Sequence, residues 1–414
     1  MKSYFKLALK VLIRRKFFTF ISLFGISLTL VVLVVASSLI DHLFTPGGPE
    51  SRFDRVLAVY RVMQRGRGYT MTTGPGYRFV RDHILTLPGI ERASAFSDAE
   101  ATAIYLGNGR LDTKVRRADA NYWQILDFRF LEGRPYTRQE EESGALVAVI
   151  TEKLRRSLFA GGQAVGQTVE IDGRRFRVVG VVPSVPITRL AAYSEIWVPL
   201  TSAPSSEWRN QFMGEFNAIV LARDRADIPG LKSAFNSRIR NITPDDPKQF
   251  QEVKAWLDTP FEAVARTFGP GAAGFGDRWP AIVRLIFAIA AMLFMTLPAL
   301  NLVTLNLSRI LERSSEIGVR KAFGAPRASL VGQFVLENVV LTLLGGLIAI
   351  GLSALALLWI NGAAVIPDAE LSINARVLGY GLLMALFFGV LSGFYPAWRM
   401  SRFHPVTALR GGAQ

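Results

Sequence analysis

Phe17-Phe-Thr-Phe-Ile-Ser-Leu-Phe-Gly-Ile-Ser-Leu-Thr-Leu-Val-Val-Leu-Val-Val-Ala-Ser-Ser-Leu-Ile40 contains no charged side chain. A hydrocarbon core about 30 Å thick needs roughly 20 apolar residues of helix to cross it, so this stretch reads as a membrane span. It is longer than the roughly 7–15 residue apolar region of a cleaved leader and is expected to stay in place as an anchor. Working outward, residues 285–307 carry no charge, residues 334–360 carry only Glu337, and residues 377–395 are again uncharged. Four transmembrane helices are therefore expected. The whole chain agrees with this reading: of 414 residues 50% are hydrophobic and 20% charged, with mean hydropathy +0.27.

Lys and Arg in short flanks stay on the cytoplasmic side of a membrane. Here they are Lys2, Lys6, Lys10, Arg14, Arg15 and Lys16 before the first span, Arg309, Arg313, Arg320, Lys321 and Arg327 between the second and third, and Arg399, Arg402 and Arg410 after the fourth. The short loop 361–375 has Asp368 and Glu370 and no basic residue. Both termini (1–16 and 396–414) and the loop 308–333 are thus expected in the cytoplasm, with residues 41–280 outside. That outer segment holds 32 basic and 28 acidic residues, a net of only +4, so most of the chain's +15 lies in the cytoplasmic flanks. The excess is a mark of topology and of contact with anionic lipid; no basic stripe interleaved with aromatics suggests a nucleic-acid groove.

Between the first two spans, strand-then-helix pairs stand at either end. One is Arg55-Val-Leu-Ala-Val-Tyr-Arg-Val62 with a helix over 77–87 stopped by Pro88-Gly89; the other is Asn217-Ala-Ile-Val-Leu-Ala222 with a helix over 228–239. They are expected to share one sheet as an α/β part, about 52–110 and 200–250. Residues 111–199 differ in texture, with short apolar runs at Val147-Ala-Val-Ile150, Thr168-Val-Glu-Ile171, Phe176-Arg-Val-Val-Gly-Val-Val182 and Glu195-Ile-Trp-Val198, and a helix at Glu152–Phe159. Asp172-Gly173 is a two-residue hairpin turn by its chemistry. The insertion is expected to be β-rich. The fold class is therefore an α-helical membrane protein with four transmembrane helices, plus a large two-part extracytoplasmic domain, α/β and β-rich, between the first and second. Phe268-Gly-Pro-Gly-Ala-Ala-Gly-Phe-Gly276 then leads to the second span, as a hinge or a plain linker.

Much chemistry is missing. The chain has no Cys, hence no disulfide, zinc-thiolate site or thiol nucleophile. There is no GxxxxGK[ST] phosphate loop, no GxSxG and no HExxH. His42, His83 and His404 are the only histidines, and the expected topology separates the third from the others. The acidic runs Glu140-Glu-Glu142 and Asp245-Asp246 read as solvated turns. No catalytic, cofactor or metal site is expected. Glu337 inside an apolar span is a functional candidate by default, and Asn301 in the second span is a candidate for bonding another helix.

The loop Ser308-Arg-Ile-Leu-Glu-Arg-Ser-Ser-Glu-Ile-Gly-Val-Arg-Lys-Ala-Phe-Gly-Ala-Pro-Arg-Ala-Ser-Leu330 alternates apolar and basic residues as a short helix lying against a partner or on lipid would. Glu316-Ile-Gly-Val-Arg-Lys-Ala-Phe-Gly-Ala325, with Gly393-Phe-Tyr-Pro-Ala-Trp-Arg-Met-Ser-Arg402, Pro405 and Ala408-Leu-Arg410, resembles the FtsX/MacB-type permeases of ABC transporters. Leu9-Lys-Val-Leu-Ile-Arg-Arg-Lys16 is similar to their N-terminal amphipathic helix. Residues 121–133 and 147–182, with Val165-Gly-Gln-Thr168, look like the MacB-type periplasmic core domain.

The resemblance implies a dimer of four-span permeases, with an identical copy or a paralogue, in a bacterial inner membrane. Two cytoplasmic ATPase subunits would carry ATP and Mg, and a periplasmic adaptor is a further possible partner. ATP hydrolysis would move the outer domains, for export or mechanotransmission. Carried over by position, Glu316, Gly318, Arg320, Lys321, Gly324 and Ala325 would meet the ATPase, and this chain would be a non-catalytic permease subunit. Unlike MacB, the sequence has no N-terminal ATPase domain, so the ATPase is expected on a separate chain. Lipoprotein release and control of a cell-wall hydrolase remain alternatives within the family, and a membrane-anchored sensor outside it.

Overall fold

The computed structural model describes residues 16–106, 109–267, 276–293, 296, 319, 323, 326–369 and 371–401. The chain divides into two compact units: a helical unit of Met1–Asp41, Arg284–Val365 and Glu370–Gln414, and a large unit of His42–Val283 with Ile366–Ala369.

Helix α1 (Lys16–Phe44) mixes Leu with Phe, Val, Ile, Ser and Thr, most of which have no strong helix preference in water. In hydrocarbon each backbone group must be satisfied within its own segment, and the helix does this. The hydroxyls of Ser27, Thr29 and Ser37 bond back to the carbonyls of Phe24, Gly25 and Val34.

The large unit follows, in chain order, as β1 (Val56–Val59), β2 (Val62–Gly66), β3 (Thr70–Pro75), α2 (Tyr77–His83), β4 (Ile90–Ser97), β5 (Glu100–Leu106), β6 (Gly109–Ala118), α3 (Tyr122–Ile125), β7 (Glu132–Gly133), α4 (Arg138–Glu142), β8 (Val147–Thr151), α5 (Glu152–Phe159), β9 (Thr168–Ile171), β10 (Arg174–Val182), β11 (Ile196–Pro199), β12 (Met213–Gly214), β13 (Phe216–Ala222), α6 (Ile228–Arg240), β14 (Phe250–Ala255) and α7 (Pro260–Thr267). One mixed sheet runs β1-β13-β4-β6-β11-β8-β10-β7, with β5 on β6 and β9 on β10, and a second runs β12-β3-β2-β14. Among the described residues, only β8–β10 and β6–β11 are parallel pairs in the large sheet.

Side chains alternate across a strand, and the core obeys this along the whole sheet. Val56 and Ala58 of β1, Ile219 and Leu221 of β13, Phe96, Ala118, Trp197, Val147 and Val149 pack on one face with Tyr122, Trp123 and Phe128. The opposite face is divided. At one end Leu57, Val59, Ala218 and Val220 pack under α2 and α6 through Phe79, Leu231 and Phe235; at the other, Val115, Ala148, Ile150, Val178, Ile196 and Val198 pack with Leu154 of α5. Burial on both faces explains the unbroken apolar runs of these strands.

The expected α/β and β-rich parts are therefore continuous through one sheet, and the join is narrow: β4 meets β6 at the single register pair Phe96↔Ala118. Asp119, the next residue, reinforces it. Its carboxylate accepts from Ser94 Oγ at 2.7 Å, Ala95 N at 2.8 Å and Tyr122 N at 3.1 Å. The run from Val56 to Val62, read as one strand, breaks at Tyr60-Arg61 so that β1 joins the large sheet and β2 the small one. The hairpin at Asp172-Gly173 is present, both residues having positive φ (48° and 73°). Glu140 proves to be the second half of a capping box on α4 with Thr137.

Helices α8 (Trp279–Leu293), α9 (Arg327–Gly362) and α10 (Ala375–Ser401) complete the chain. Four spans were expected. Among the described residues two helical stretches are long and apolar enough to cross a membrane, Thr19–Phe44 and Val331–Gly362, whereas Trp279–Leu293 and Leu378–Leu391 are shorter. Most of the second half of the expected span 285–307 lies outside the described residues. Helix α9 begins at Arg327, seven residues before the expected 334. Pro326, with φ −67°, stands as its N-cap, and a first turn set by proline need not coincide with the start of an apolar run.

Candidate functional site

Helix α9 buries Gln333, Glu337, Leu341, Gly345, Ala349, Ser353 and Leu357, every fourth residue along it. At 3.6 residues per turn such a row drifts about 40° around the helix at each step, so it faces different neighbours at different heights. A Cβ on Gly345 would stand 2.8 Å from Ile26 Cγ2 of α1, and one on Gly346 would stand 2.7 Å from Leu382 Cδ1 of α10. From α10, a Cβ on Gly381 would meet Leu33 of α1 at 2.7 Å, and one on Gly389 would meet Thr342 Oγ1 at 2.7 Å. Three helices thus approach each other at glycines, as expected where lipid supplies no hydrophobic drive and close packing does the work.

Glu337 lies in this seam. It is 4% exposed, on a helix that starts nearly three turns before it. Gln333 Nε2 donates to Glu337 Oε1 at 3.0 Å. One residue on, Asn338 is also buried, and its carbonyl accepts from Thr342 Oγ1 at 2.9 Å. The two i, i+4 pairs give α9 a polar band between apolar turns.

The large unit begins at His42, inside the last turn of α1. Arg189 Nη1 donates to Thr45 O at 2.9 Å and to Glu50 Oε2 at 3.1 Å, and both ionic side chains are buried. Burial raises the Glu50 carboxyl above its usual range, while Arg189 pulls it down. The Thr188 hydroxyl is 3.3 Å from His42 Nε2, and Phe44 packs on Phe261 with ring centroids 5.3 Å apart. Breaking a buried ion pair of this kind costs about 3–5 kcal/mol.

A cleft of about 770 Å³ opens between α2 and α6, lined by Arg78, Asp82, His83, Arg238 and Asp245. Its charges are partnered: Arg78 with Asp245, Asp82 with Arg81, and Arg238 with Thr86 Oγ1 and His83 O. Among the described residues no cluster of His, Asp and Glu could hold a metal ion.

Two family models match the chain. The MacB-like periplasmic core domain covers residues 19–238, and the FtsX-like permease C-terminal domain covers residues 288–405. The chain belongs to the MacB/FtsX family of ABC transporter permeases. It is 26% identical over 334 residues to the uncharacterized ABC transporter permease YknZ of Bacillus subtilis, covering 80% of this chain and 79% of that protein. It is also 26% identical over 356 residues to the macrolide export ATP-binding/permease protein MacB of Bdellovibrio bacteriovorus, covering 83% of this chain and 51% of that one. The chain thus spans about half the length of its MacB relative. The crystal structure of the periplasmic region of MacB from Actinobacillus actinomycetemcomitans aligns with a TM-score of 0.38 at 14% identity, over 52% of this chain and 94% of that one.

In this MacB/FtsX permease the sequence-selected residues fall unevenly. Glu337 is placed in the seam. Asn301 and the six positions Glu316, Gly318, Arg320, Lys321, Gly324 and Ala325 lie outside the described residues. Sequence reasoning passed over Arg189 with Glu50, 139 positions apart, since nothing local marks a distant ion pair. It also passed over Gln333, Asn338 and Thr342, although their i, i+4 spacing to one another and to Glu337 was on view.

Proposed function

We propose that this permease works as one half of a dimer and converts ATP hydrolysis on a separate cytoplasmic ATPase into movement of its large unit, for export or mechanotransmission. In this reading four helices span a bacterial inner membrane, both termini are cytoplasmic and residues 41–280 are outside. ATP and Mg belong to the ATPase, which Glu316, Gly318, Arg320, Lys321, Gly324 and Ala325 contact. A periplasmic adaptor is a further partner.

The observation that carries the reading is that α9 and α1 meet at a glycine with no room between them. A displacement of the segment before Arg327 reaches α9 directly along the chain. It passes from α9 to α1 where Gly345 meets Ile26, in a packing too close to absorb it by side-chain rearrangement. Helix α1 leads along the chain into the large unit, which begins at His42. Two relatives named for export, of macrolides and of pyoverdine, support the export branch.

The test is a mild-detergent isolation of the tagged chain with mass spectrometry and an ATPase assay. A stoichiometric ATPase should co-purify, and the double reversal Arg320→Glu with Lys321→Glu should lower its recovery by about tenfold, as expected when charged hot-spot contacts at an interface are reversed. Membrane insertion should be unchanged. Absence of any nucleotide-binding protein, or indifference to the reversal, would sink the coupling role.

A further inference from the structure

We propose that Asp119 and Glu141 form a proton-operated latch where the two halves of the large unit's sheet meet. While the pair holds its proton, the α/β and β-rich halves form one rigid sheet; once the pair is fully ionised, the join opens to water.

The join is the narrowest place in the sheet, since β4 and β6 share the single register pair Phe96↔Ala118. Both passages of the chain between the halves lie at this level. One leaves β4 at Ser97 and enters β5 at Glu100. The other returns after β11, where Val198 belongs to the core of the β-rich half and Leu200 to the core under α2 and α6. On one face a common core crosses the join through Phe96, Ala118 and Trp197, whereas on the other the two cores are separate. A sheet built in this way is held together on one face and can part on the other.

The bonds that keep it closed gather on residues 117–121. Asp119 N donates to Ala95 O at 3.1 Å, Arg117 N to Ser97 Oγ at 3.0 Å, and Asn121 Nδ2 to Ala93 O at 3.1 Å. To these the Asp119 carboxyl adds its contacts with Ser94, Ala95 and Tyr122. Glu141 of α4 holds the same stretch: its Oε2 accepts from Ala120 N at 2.7 Å, and its carbonyl accepts from Thr201 Oγ1 on the returning passage. Two carboxyls thus serve five consecutive residues at the join. Among the described residues neither has a cation in contact, because Arg134 and Arg138 beside them are paired with Glu140 and Glu142.

The groups that act on Asp119 from the elements around it are Glu141, Tyr77 of α2, Tyr136 and Arg138. Burial keeps both phenols neutral, and Arg138 is exposed and bonded to Glu142. Glu141 supplies a like charge. Burial, and with it the Glu141 charge, pushes the Asp119 carboxyl up to about 7 against its donors, and burial raises Glu141 too. A closed join therefore keeps a proton that a water-filled one releases near 3.8, so opening grows as pH rises from the lower value to the higher. The orientation proposed above decides only which side's pH is sensed; the latch itself belongs to the large unit.

The test is hydrogen exchange of the full chain in lipid nanodiscs, read by mass spectrometry at pH 5 and pH 8 and corrected for the intrinsic exchange rate. Amides of residues 93–97 and 117–122 should open at least about tenfold more often at pH 8, while those of 148–151 in β8 and 218–221 in β13 keep their protection. Asp119→Asn should abolish the difference. Glu141→Gln should lower opening at pH 8 by about threefold, the worth of half a pKa unit. Equal loss in β8 and β13 overturns the latch, for it makes Asp119 a contributor to overall stability alone. No change with pH at the join, or a change that survives Asp119→Asn, also overturns it. Should Asp119→Asn not fold, Glu141→Gln decides: opening identical to that of the unsubstituted chain overturns the pairing of the two carboxyls.

Discussion

Trp197 in the large unit and Gly345 in the helical unit are both buried at centres of packing, yet they stand for opposite ways of filling space. Around Trp197 lie Trp123 and Phe128, with ring centroids 6.0 and 5.3 Å away, and its Nε1 donates to the Tyr122 hydroxyl at 3.3 Å. Around Gly345 there is no room for a methyl group. A domain folded in water gains by removing large apolar surfaces from it. Helices that exchange lipid contacts for helix contacts gain nothing from size, and so gain from closeness. One chain follows both rules, changing from one to the other where its solvent changes.

The sharpest way to break that contrast is Trp197→Ala. It should destabilise the large unit by about 3–5 kcal/mol, as large aromatic deletions in cores do, seen as lost hydrogen-exchange protection in β8, β11 and α3. Protection in α9 should stay as it was. Equal loss in both units would mean that their cores are energetically one.

The converse substitution is Gly345→Leu, which adds bulk where a Cβ already stands 2.8 Å from Ile26. The expected cost is about 1–3 kcal/mol, spent on separating α1 from α9. Spin labels on the two helices should report the increase in distance, while the unfolding of the large unit remains unchanged. A variant with native spacing would show that the seam is loose.

A smaller effect sharpens the comparison from the side of charge. In the seam Glu337 has Gln333 beside it; in the large unit Asp119 is buried with only neutral donors, and burial pushes its carboxyl up to about 7 in spite of the Ala95 N–H and the Ser94 hydroxyl. The folded state therefore holds a proton that the unfolded state releases near the ordinary value of 3.8. Such a group stabilises the fold fully below that value, and the contribution is lost as pH rises through about 7. Between pH 5 and pH 8, protection of the β4 and α3 amides should fall by at least about tenfold, or 1.4 kcal/mol, and Asp119→Asn should flatten that dependence. A flat profile in the unsubstituted chain would show that the three donors keep the carboxylate ionised throughout.

What could be read in the sequence was local. Val147 to Ile150 and the Phe176–Val182 run announced strands, Asp172-Gly173 announced its turn, and the helix expected at Glu152–Phe159 is present, capped by Thr151 through Leu154 N. The break at Tyr60-Arg61 was hidden because Val62 prolongs the same β-branched run, and only pairing partners far along the chain send β1 and β2 to different sheets. The candidate site was legible in one residue, Glu337, because a carboxylate stands out against an apolar run. Gly345, Gly346 and Gly381 do not stand out there, and their role depends on Ile26, Leu382 and Leu33 of other helices. The helix α9 reaches beyond the expected span, since hydropathy marks an apolar run whereas the helix begins after Pro326. The positions from Glu316 to Ala325 were selected through family resemblance, since nothing in their spacing names an ATPase.

Among the described residues, the first strand of the large sheet has its one neighbour in that sheet 165 positions later, since Val56 pairs with Leu221. During synthesis, Val56–Val59 leaves the ribosome early and then waits, with every backbone group of its ladder unmet, until nearly all of the large unit has been made. Non-local pairing of this kind is slow and leaves a sticky edge open in the meantime. A chain cut anywhere before Phe216 cannot close its sheet, so partly translated or prematurely ended copies are marked for chaperones and proteases by the exposed edge of β1. The order of the strands thus makes completion of translation the condition for a folded large unit.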